Sequence, residues 1–68
     1  MVIKARIIPD KTIIIIDDDQ VKVRELVKKA GFDFDEVIVI VNGRIIDNED
    51  FSVSGKDEVM IVRVGTGG

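Results

Sequence analysis

The sequence predicts an α+β domain in which a mixed β-sheet is covered on one face by a single helix. Three observations predict it. Short runs of Ile and Val recur along the 68 residues at the length of strands, and one stretch repeats its apolar residues at helical spacing. Asn42-Gly43 is the strongest short signal for a tight hairpin. The resulting order is strand, strand, helix, strand, short strand and strand.

The first two strands form an N-terminal hairpin. Residues 2–8 alternate imperfectly between apolar and charged side chains, with Lys4 and Arg6 on the polar face, which is typical of a half-buried strand. Residues 9–11 read Pro-Asp-Lys and have turn chemistry, because Pro presets φ and the Asp side chain can bond its own backbone. Residues 12–16 follow as a second strand, rich in β-branched side chains.

The helix is predicted from an apolar stripe at positions i, i+3, i+4 and i+7, formed by Val23, Leu26, Val27 and Ala30. Asp18 or Asp19 is the predicted N-cap, since an acidic run complements the positive end of the helix dipole. Lys28 and Lys29 suit the last turn, and Gly31 stands where a left-handed C-cap is needed. Capping explains the three consecutive aspartates better than a metal site does.

Three more strands follow the helix. Residues 37–41 form a continuous apolar run, as expected of an interior strand, and a type I′ turn at Asn42-Gly43 leads into a short strand at residues 44–46. The last strand covers residues 59–64. A helical crossover after a hairpin returns right-handed onto the same sheet, which places the first and last strands parallel at its centre. This ββαββ(β) order is the β-grasp arrangement of ubiquitin-like domains.

Four further side chains are expected to contribute to the core. Phe32 and Phe34 flank a short acidic connection and are predicted to close the edge of the core. Residues 47–56 form a polar loop in which Phe51 and Val53 are predicted to be buried.

The last strand is expected to present a docking surface. Alternation puts Val59 and Ile61 under the helix, and Met60, Val62 and Val64 on the opposite face, which no helix covers. A partly apolar sheet face is a candidate partner patch, with Met as an adaptable contact residue. The alternative is scattered apolar surface of the ordinary kind.

Composition excludes several classes of function. The chain has no Cys and no His, so disulfides and Cys/His zinc sites are excluded. Its formal net charge is −3, and it lacks Trp and Tyr, which argues against nucleic-acid binding. Its apolar runs are far shorter than the ~20 residues of a membrane span. The N-terminus does not have the pattern of a signal peptide, so we expect a cytoplasmic protein with no membrane partner.

The same inventory predicts that the protein is not an enzyme. Without His or Cys, the usual nucleophile–base pairs are missing, and Ser52 and Ser54 have no evident base. Paired-carboxylate catalysis needs a cleft that desolvates one carboxyl group, and a chain this small offers little cleft. No glycine-rich loop leads from a strand into a helix, so phosphate-binding loops are absent from the sequence.

The chain ends in a glycine tail. We expect residues 1–64 to form the domain and residues 65–68, Gly-Thr-Gly-Gly, to form a flexible tether. Four extended residues span at most ~14 Å, enough to place a carboxylate in another protein's active site. The alternative is that small residues gather at a terminus without a function.

Three short motifs point to a known family. They are residues 39–44 (VIVNGR), residues 55–61 (GKDEVMI) and the terminal Gly67-Gly68. By these motifs and by element order over the whole chain, the sequence resembles the ubiquitin-like sulfur carriers (ThiS/MoaD-like), which include small archaeal modifiers. It departs from the family pattern at Lys56, inside the usual Gly-Asp-Glu, and at Thr66, which splits the glycine run. The helix start also lacks the Thr or Ser that these proteins often have.

The resemblance implies a function for the tail. An E1-like enzyme using ATP and magnesium would adenylate the Gly68 carboxylate, beside Gly67, and sulfur would then replace one oxygen to give a thiocarboxylate. The sulfur would pass to an acceptor synthase or sulfurtransferase in thiamine, molybdopterin or tRNA thiolation chemistry. The carrier itself would need no cofactor, and Met60, Val62 and Val64 are the predicted docking contacts.

Two other functions stay open. After the same activation, the chain could be a protein modifier joined through Gly68 to lysines of target proteins. It could also be a plain β-grasp interaction module whose tail has no role. Loss of Gly67 and Gly68 would disable a carrier or a modifier but not an interaction module.

Overall fold

The computed structural model describes residues 2–64, which contain seven strands, one α-helix and one 3-10 turn. In chain order they are β1 (Val2–Ile8), β2 (Thr12–Asp17), β3 (Gln20–Lys22), α1 (Val23–Lys29), the 3-10 turn Phe34–Glu36, β4 (Val37–Val41), β5 (Arg44–Ile46), β6 (Ser52–Ser54) and β7 (Val59–Arg63). The predicted N-terminal hairpin, helix and C-terminal strands are all present.

Five strands form one mixed sheet in the order β2-β1-β7-β4-β5. The first and last strands, β1 and β7, pair in parallel at its centre, and the other neighbours pair antiparallel. Helix α1 supplies the crossover between the N-terminal hairpin and the later strands. This confirms the β-grasp fold predicted from the sequence.

The core lies between this sheet and α1. Every residue that is buried within the described chain is apolar, so no charged or polar side chain has to be satisfied inside. Ile3 and Ile61 on the two central strands are fully buried, as are Leu26 and Val27 on the helix. Phe32 and Phe34 are partly buried against this cluster, which confirms their predicted place at its edge.

The predicted cap at the start of the helix is wrong. The N-cap is Lys22, and the first free N–H groups of the helix donate to backbone carbonyls, Val23 N–H to Phe51 O at 2.8 Å and Arg24 N–H to Glu49 O at 3.0 Å. Asp18 and Asp19 lie upstream of β3, where the Asp18 carboxylate accepts the Asp19 N–H at 2.8 Å. The chain pairs through β3 before it enters α1, which moves the helix start away from the aspartates.

The predicted end of the helix is confirmed. Gly31 has φ of +94°, a region that side chains with a Cβ rarely adopt. Its N–H bonds the Lys28 carbonyl at 2.9 Å, and the Phe32 N–H reaches back to the Val27 carbonyl at 3.1 Å. These two bonds define a Schellman motif, which satisfies the last carbonyls of the helix.

The polar loop before β7 contains a strand that the sequence did not predict. β6 pairs antiparallel with β3, and this small sheet carries the chain into α1. Val53 is buried as predicted, at 1% exposure, but Phe51 is 39% exposed and its predicted burial is wrong. Phe51 directly precedes β6. Its carbonyl accepts the Val23 N–H at the start of the helix, and its ring lies at the surface of the loop.

Candidate functional site

β7 leads from the centre of the sheet toward the tail. Val59 and Ile61 are buried under the helix, whereas Met60 and Val62 are half-buried on the other side of the sheet. Val64 follows the strand and is 49% exposed. The alternation predicted for this strand is therefore confirmed from Val59 to Val62. The strand ends at Arg63, one residue earlier than predicted, and Val64 lines a groove with Phe32 and Glu36.

Within residues 2–64, no helix covers the side of the sheet that carries Met60, which we call the open face. Residues paired directly across strands point to the same side of a sheet, and the pairing places Ile40 beside Met60 and Ile38 beside Val62. The other apolar members of the open face are Val2, Ile8, Ile13, Ile15 and Ile45. Several isoleucines of this face are strongly exposed, Ile45 at 70%. An apolar face of this extent is typical of a protein-binding surface.

Two cations interrupt the open face. Lys4 pairs across from Ile15, and Arg6 lies between Ile13 and Met60. These residues border a groove of about 540 Å³ whose far wall is the turn that precedes β7. The turn contributes Asp57 and Glu58 to the same groove, so the groove presents both signs of charge beside an apolar centre.

The end of β7 is held by contacts to distant parts of the chain. The Arg63 guanidinium donates to both carboxylate oxygens of Asp10, at 3.0 and 3.1 Å, and lies 5.5 Å from the centre of the Phe32 ring. The Val64 N–H points at the Glu36 carbonyl at 3.4 Å. These contacts fix the point where the tail leaves the sheet. The Asp10 carboxylate, predicted to bond its own backbone in the turn, is directed to Arg63.

A second set of contacts fixes the start of β7. The Asn42 amide donates to Asp57 Oδ1 at 3.0 Å, and its oxygen accepts the Glu58 N–H at 2.9 Å. Asp57 Oδ2 accepts the Ser54 N–H at 2.8 Å. Asn42 also has φ of +52° in the predicted hairpin turn, where Asn is among the few tolerated residues. This Asn42–Asp57 link joins the β4–β5 hairpin to the segment that enters β7.

The link lowers the pKa of Asp57 below its ordinary value of 3.8, chiefly through the hydrogen bond from Asn42 and next through the Ser54 N–H. Folding therefore favours the ionised carboxyl group. Its contribution to stability is fully present above the unfolded pKa and is lost as the pH falls through the lower pKa of the folded state.

We expect Asp57→Asn to lower the free energy of unfolding by about 2 kcal/mol near neutral pH, because an amide cannot accept both hydrogen bonds. The part of this deficit that comes from the ionised carboxylate should shrink as the pH falls below 3.8 and through the lower pKa of the folded state, where the wild type loses it too. Urea unfolding at a series of pH values measures both. Asp47→Asn removes a carboxylate from the neighbouring exposed loop and controls for net charge. A deficit that stays constant over this range would contradict the assignment.

Within residues 2–64, no group of three or more carboxylates is placed to ligate a metal ion. The same part of the chain contains no helix with the length and apolarity needed to traverse a bilayer.

A comparison with models of protein families matches residues 4–68 to the ThiS family. The chain belongs to the ThiS family. The match covers all but the first three residues, in agreement with the β-grasp fold and with the resemblance seen in the sequence. Comparisons with curated proteins and with solved structures find no significant match.

Membership assigns a general role. ThiS-family proteins are small ubiquitin-like sulfur carriers rather than catalysts, and they work with E1-like enzymes and sulfur acceptors. In this ThiS-family chain, the predicted contacts Met60 and Val62 lie on the open face, and Val64 follows the strand in a groove with Phe32 and Glu36. The predicted sulfur-carrying residues, Gly67 and Gly68, lie outside the residues that the structure describes.

The sequence reasoning missed both sets of contacts that position β7. Asn42 was interpreted only as a turn residue. Asp57, just before the last strand, could have indicated a carboxylate that accepts hydrogen bonds from other parts of the chain. The pairing of Arg63 with Asp10 joins residues 53 positions apart, and no local pattern indicates it.

Proposed function

We propose that this chain carries sulfur as a thiocarboxylate on Gly68. The observation that supports the proposal most is the extent of the family match, which runs through Gly67 and Gly68 to residue 68. The residues that would carry the sulfur are therefore part of the region that resembles the family, not an addition to it. The strand that precedes them, β7, lies at the centre of the sheet and is held at both ends.

The chemistry requires a separate activating enzyme. A carboxylate oxygen is a poor leaving group, so an E1-like partner using ATP and magnesium would first convert the Gly68 carboxylate to an acyl adenylate, releasing pyrophosphate. A sulfur nucleophile would then attack the carbonyl carbon and release AMP. The carrier supplies the carboxylate and a backbone without side chains at Gly67 and Gly68, which a narrow active site can admit. The acceptor would be a synthase or sulfurtransferase of thiamine, molybdopterin or tRNA thiolation chemistry.

We propose that the activating enzyme docks on the open face around Met60 and Val62, with Val64 at the root of the tail. Docking there would leave residues 65–68 free to extend, over at most ~14 Å, into the enzyme's nucleotide site. Half-buried apolar side chains at the centre of a patch are the usual source of binding energy, and charged residues at its rim, here Lys4 and Arg6, set orientation.

Met60→Ala, and separately Val62→Ala, should weaken binding of the activating enzyme about tenfold each, because truncating an interface anchor typically costs more than 1 kcal/mol. Isothermal titration calorimetry with the purified enzyme measures the change. Phe51→Ala is the matched control, since Phe51 is also an exposed apolar residue but bonds the start of the helix on the covered side of the sheet. Docking elsewhere is indicated if Phe51→Ala weakens binding as strongly as Met60→Ala.

The proposal is tested by mass spectrometry of protein purified from its own source and treated with a thiol-alkylating reagent. The chain contains no Cys, so an adduct on the tail reports a thiocarboxylate. Trypsin cleaves after Arg63, and the tail peptide, residues 64–68, contains no Met whose oxidation could be mistaken for added mass. An alkylated tail peptide supports the carrier.

The same experiment separates the alternatives. Residues 64–68 branched onto lysines of other proteins would indicate a protein modifier. An unmodified tail, under conditions in which a reference thiocarboxylate survives, would overturn the proposal and favour an interaction module.

A further inference from the structure

Strand β2 is an edge of the main sheet that the described chain leaves unpaired. Its single neighbour among residues 2–64 is β1, so one row of its backbone N–H and C=O groups faces outward. Natural proteins usually protect such edges with Pro, with an inward-pointing charge or by keeping the strand short. β2 has six residues, and its four central ones are all Ile. The opposite edge, β5, has only three residues.

The side chains of β2 are as unusual as its backbone. Ile13 is 56% exposed and Ile15 is 62% exposed, both on the open face. Ile14, on the helix side, is only partly buried at the margin of the core. Apolar side chains on both sides of an unpaired strand indicate that another strand completes the sheet here.

The pattern of β2 is complementary to itself. When the strand is paired antiparallel with a copy about a two-fold axis at Ile14, Ile13 of each copy lies opposite Ile15 of the other, on the same face. The same register places Lys11, the last residue of the turn before the strand (φ of +59°), at the same end of the pair as Asp17 of the other copy. A shift of two residues in either direction would place Ile13 opposite Asp17, or Lys11 opposite Ile15. One register therefore matches both the apolar side chains and the charges.

We propose that two copies of this chain associate through their β2 edges in this register, forming one continuous ten-stranded sheet. Because directly paired residues share a face, both open faces would lie on one side and both helices on the other. The two patches around Met60 would stay exposed at some distance from the two-fold axis. The inference rests on β2 alone and does not depend on the proposed role of Gly68.

The register is tested by charge reversal, with the molar mass measured by sedimentation over a range of concentrations. We expect the mass of the wild type to rise with concentration from that of one 7.5 kDa chain to twice that value. Lys11→Asp alone should raise the dissociation constant roughly tenfold, because it gathers carboxylates of both copies at each end of the paired strands, and Asp17→Lys alone should do the same with lysines. The double variant, with both changes, should restore the wild-type constant.

Two substitutions of Ile by Lys locate the contact. Ile15→Lys should abolish the dimer, whereas Ile45→Lys, at an equally exposed position on the far edge of the open face, should leave it unchanged. The four substituted residues, Lys11, Ile15, Asp17 and Ile45, are all exposed, so the variants are expected to fold. Circular dichroism checks that they do. The proposal is overturned if the wild type stays monomeric at all concentrations. It is also overturned if the double variant does not recover, or if Ile45→Lys dissociates the dimer as Ile15→Lys does, which would indicate stacking of the open faces.

Discussion

Deletion of Gly67 and Gly68 is expected to abolish thiocarboxylate formation and ATP-dependent adenylation of the chain, with no residual activity on the shortened end. The reason is geometric and steric. The new terminal residue would be Thr66, whose carboxylate would lie two residues short of its position in the full-length chain and beside a branched side chain. Pyrophosphate release in the presence of the activating enzyme and ATP measures the first step, and mass spectrometry measures the second.

The control for this deletion is the thermal stability of the shortened chain, which shows whether the fold is retained. Residues 65–68 follow the last strand, so the midpoint of thermal unfolding should be the same for the shortened and full-length chains. Binding of the shortened chain to the activating enzyme should also persist if Met60 and Val62 provide the docking surface. Sulfur loading of a chain that lacks both glycines would refute the assignment of Gly68.

Ile61→Ala is expected to destabilise the fold by about 3 kcal/mol, which for a chain of this size is a large share of a total near 3–10 kcal/mol. Ile61 is fully buried on β7, between Ile7 of β1 and Val39 of β4. Truncation would leave a cavity at the junction of three strands and the helix. Strand neighbours on both sides prevent the backbone from closing that cavity.

Ile45→Ala is the matched control, because it makes the same chemical change at a position that is 70% exposed on the edge strand β5. Its cost should stay under about 1 kcal/mol. The free energies of unfolding of both variants are measured by urea titration followed by circular dichroism. Equal losses for the two variants would mean that β7 is not at the centre of the core.

Features that depend on near neighbours were predictable. The positive φ angles at Gly31 and in the Asn42-Gly43 turn follow from the few residue types that tolerate them. The helix stripe and the alternation along β7 follow from the two periodicities of helix and strand. Together they were enough to predict the helix, the five strands of the main sheet and which side of the last strand faces the helix.

Features that depend on residues far away in the chain were not predictable from the sequence. The start of α1 is capped by carbonyls of Glu49 and Phe51, which reach it because β6 pairs with β3. Three-residue strands such as these, without a turn signal like the Asn42-Gly43 that precedes β5, carry too little pattern to be recognised in a sequence. The aspartates before the helix therefore indicated a cap that the fold does not use, and Phe51 was assigned to the core although it is exposed.

By itself, the sequence determined the β-grasp order, the apolar core face and the diglycine that links the chain to sulfur carriers. Each of these depends on residue type and short-range spacing. Only the tertiary structure decided how β7 is held, through Arg63 with Asp10 and through Asn42 with Asp57. It also decided that β2 is an edge with no second neighbour among residues 2–64. The reason is that hydrogen bonds and ion pairs between distant residues form only after the strands have been arranged, and the arrangement is set by burial of the whole core.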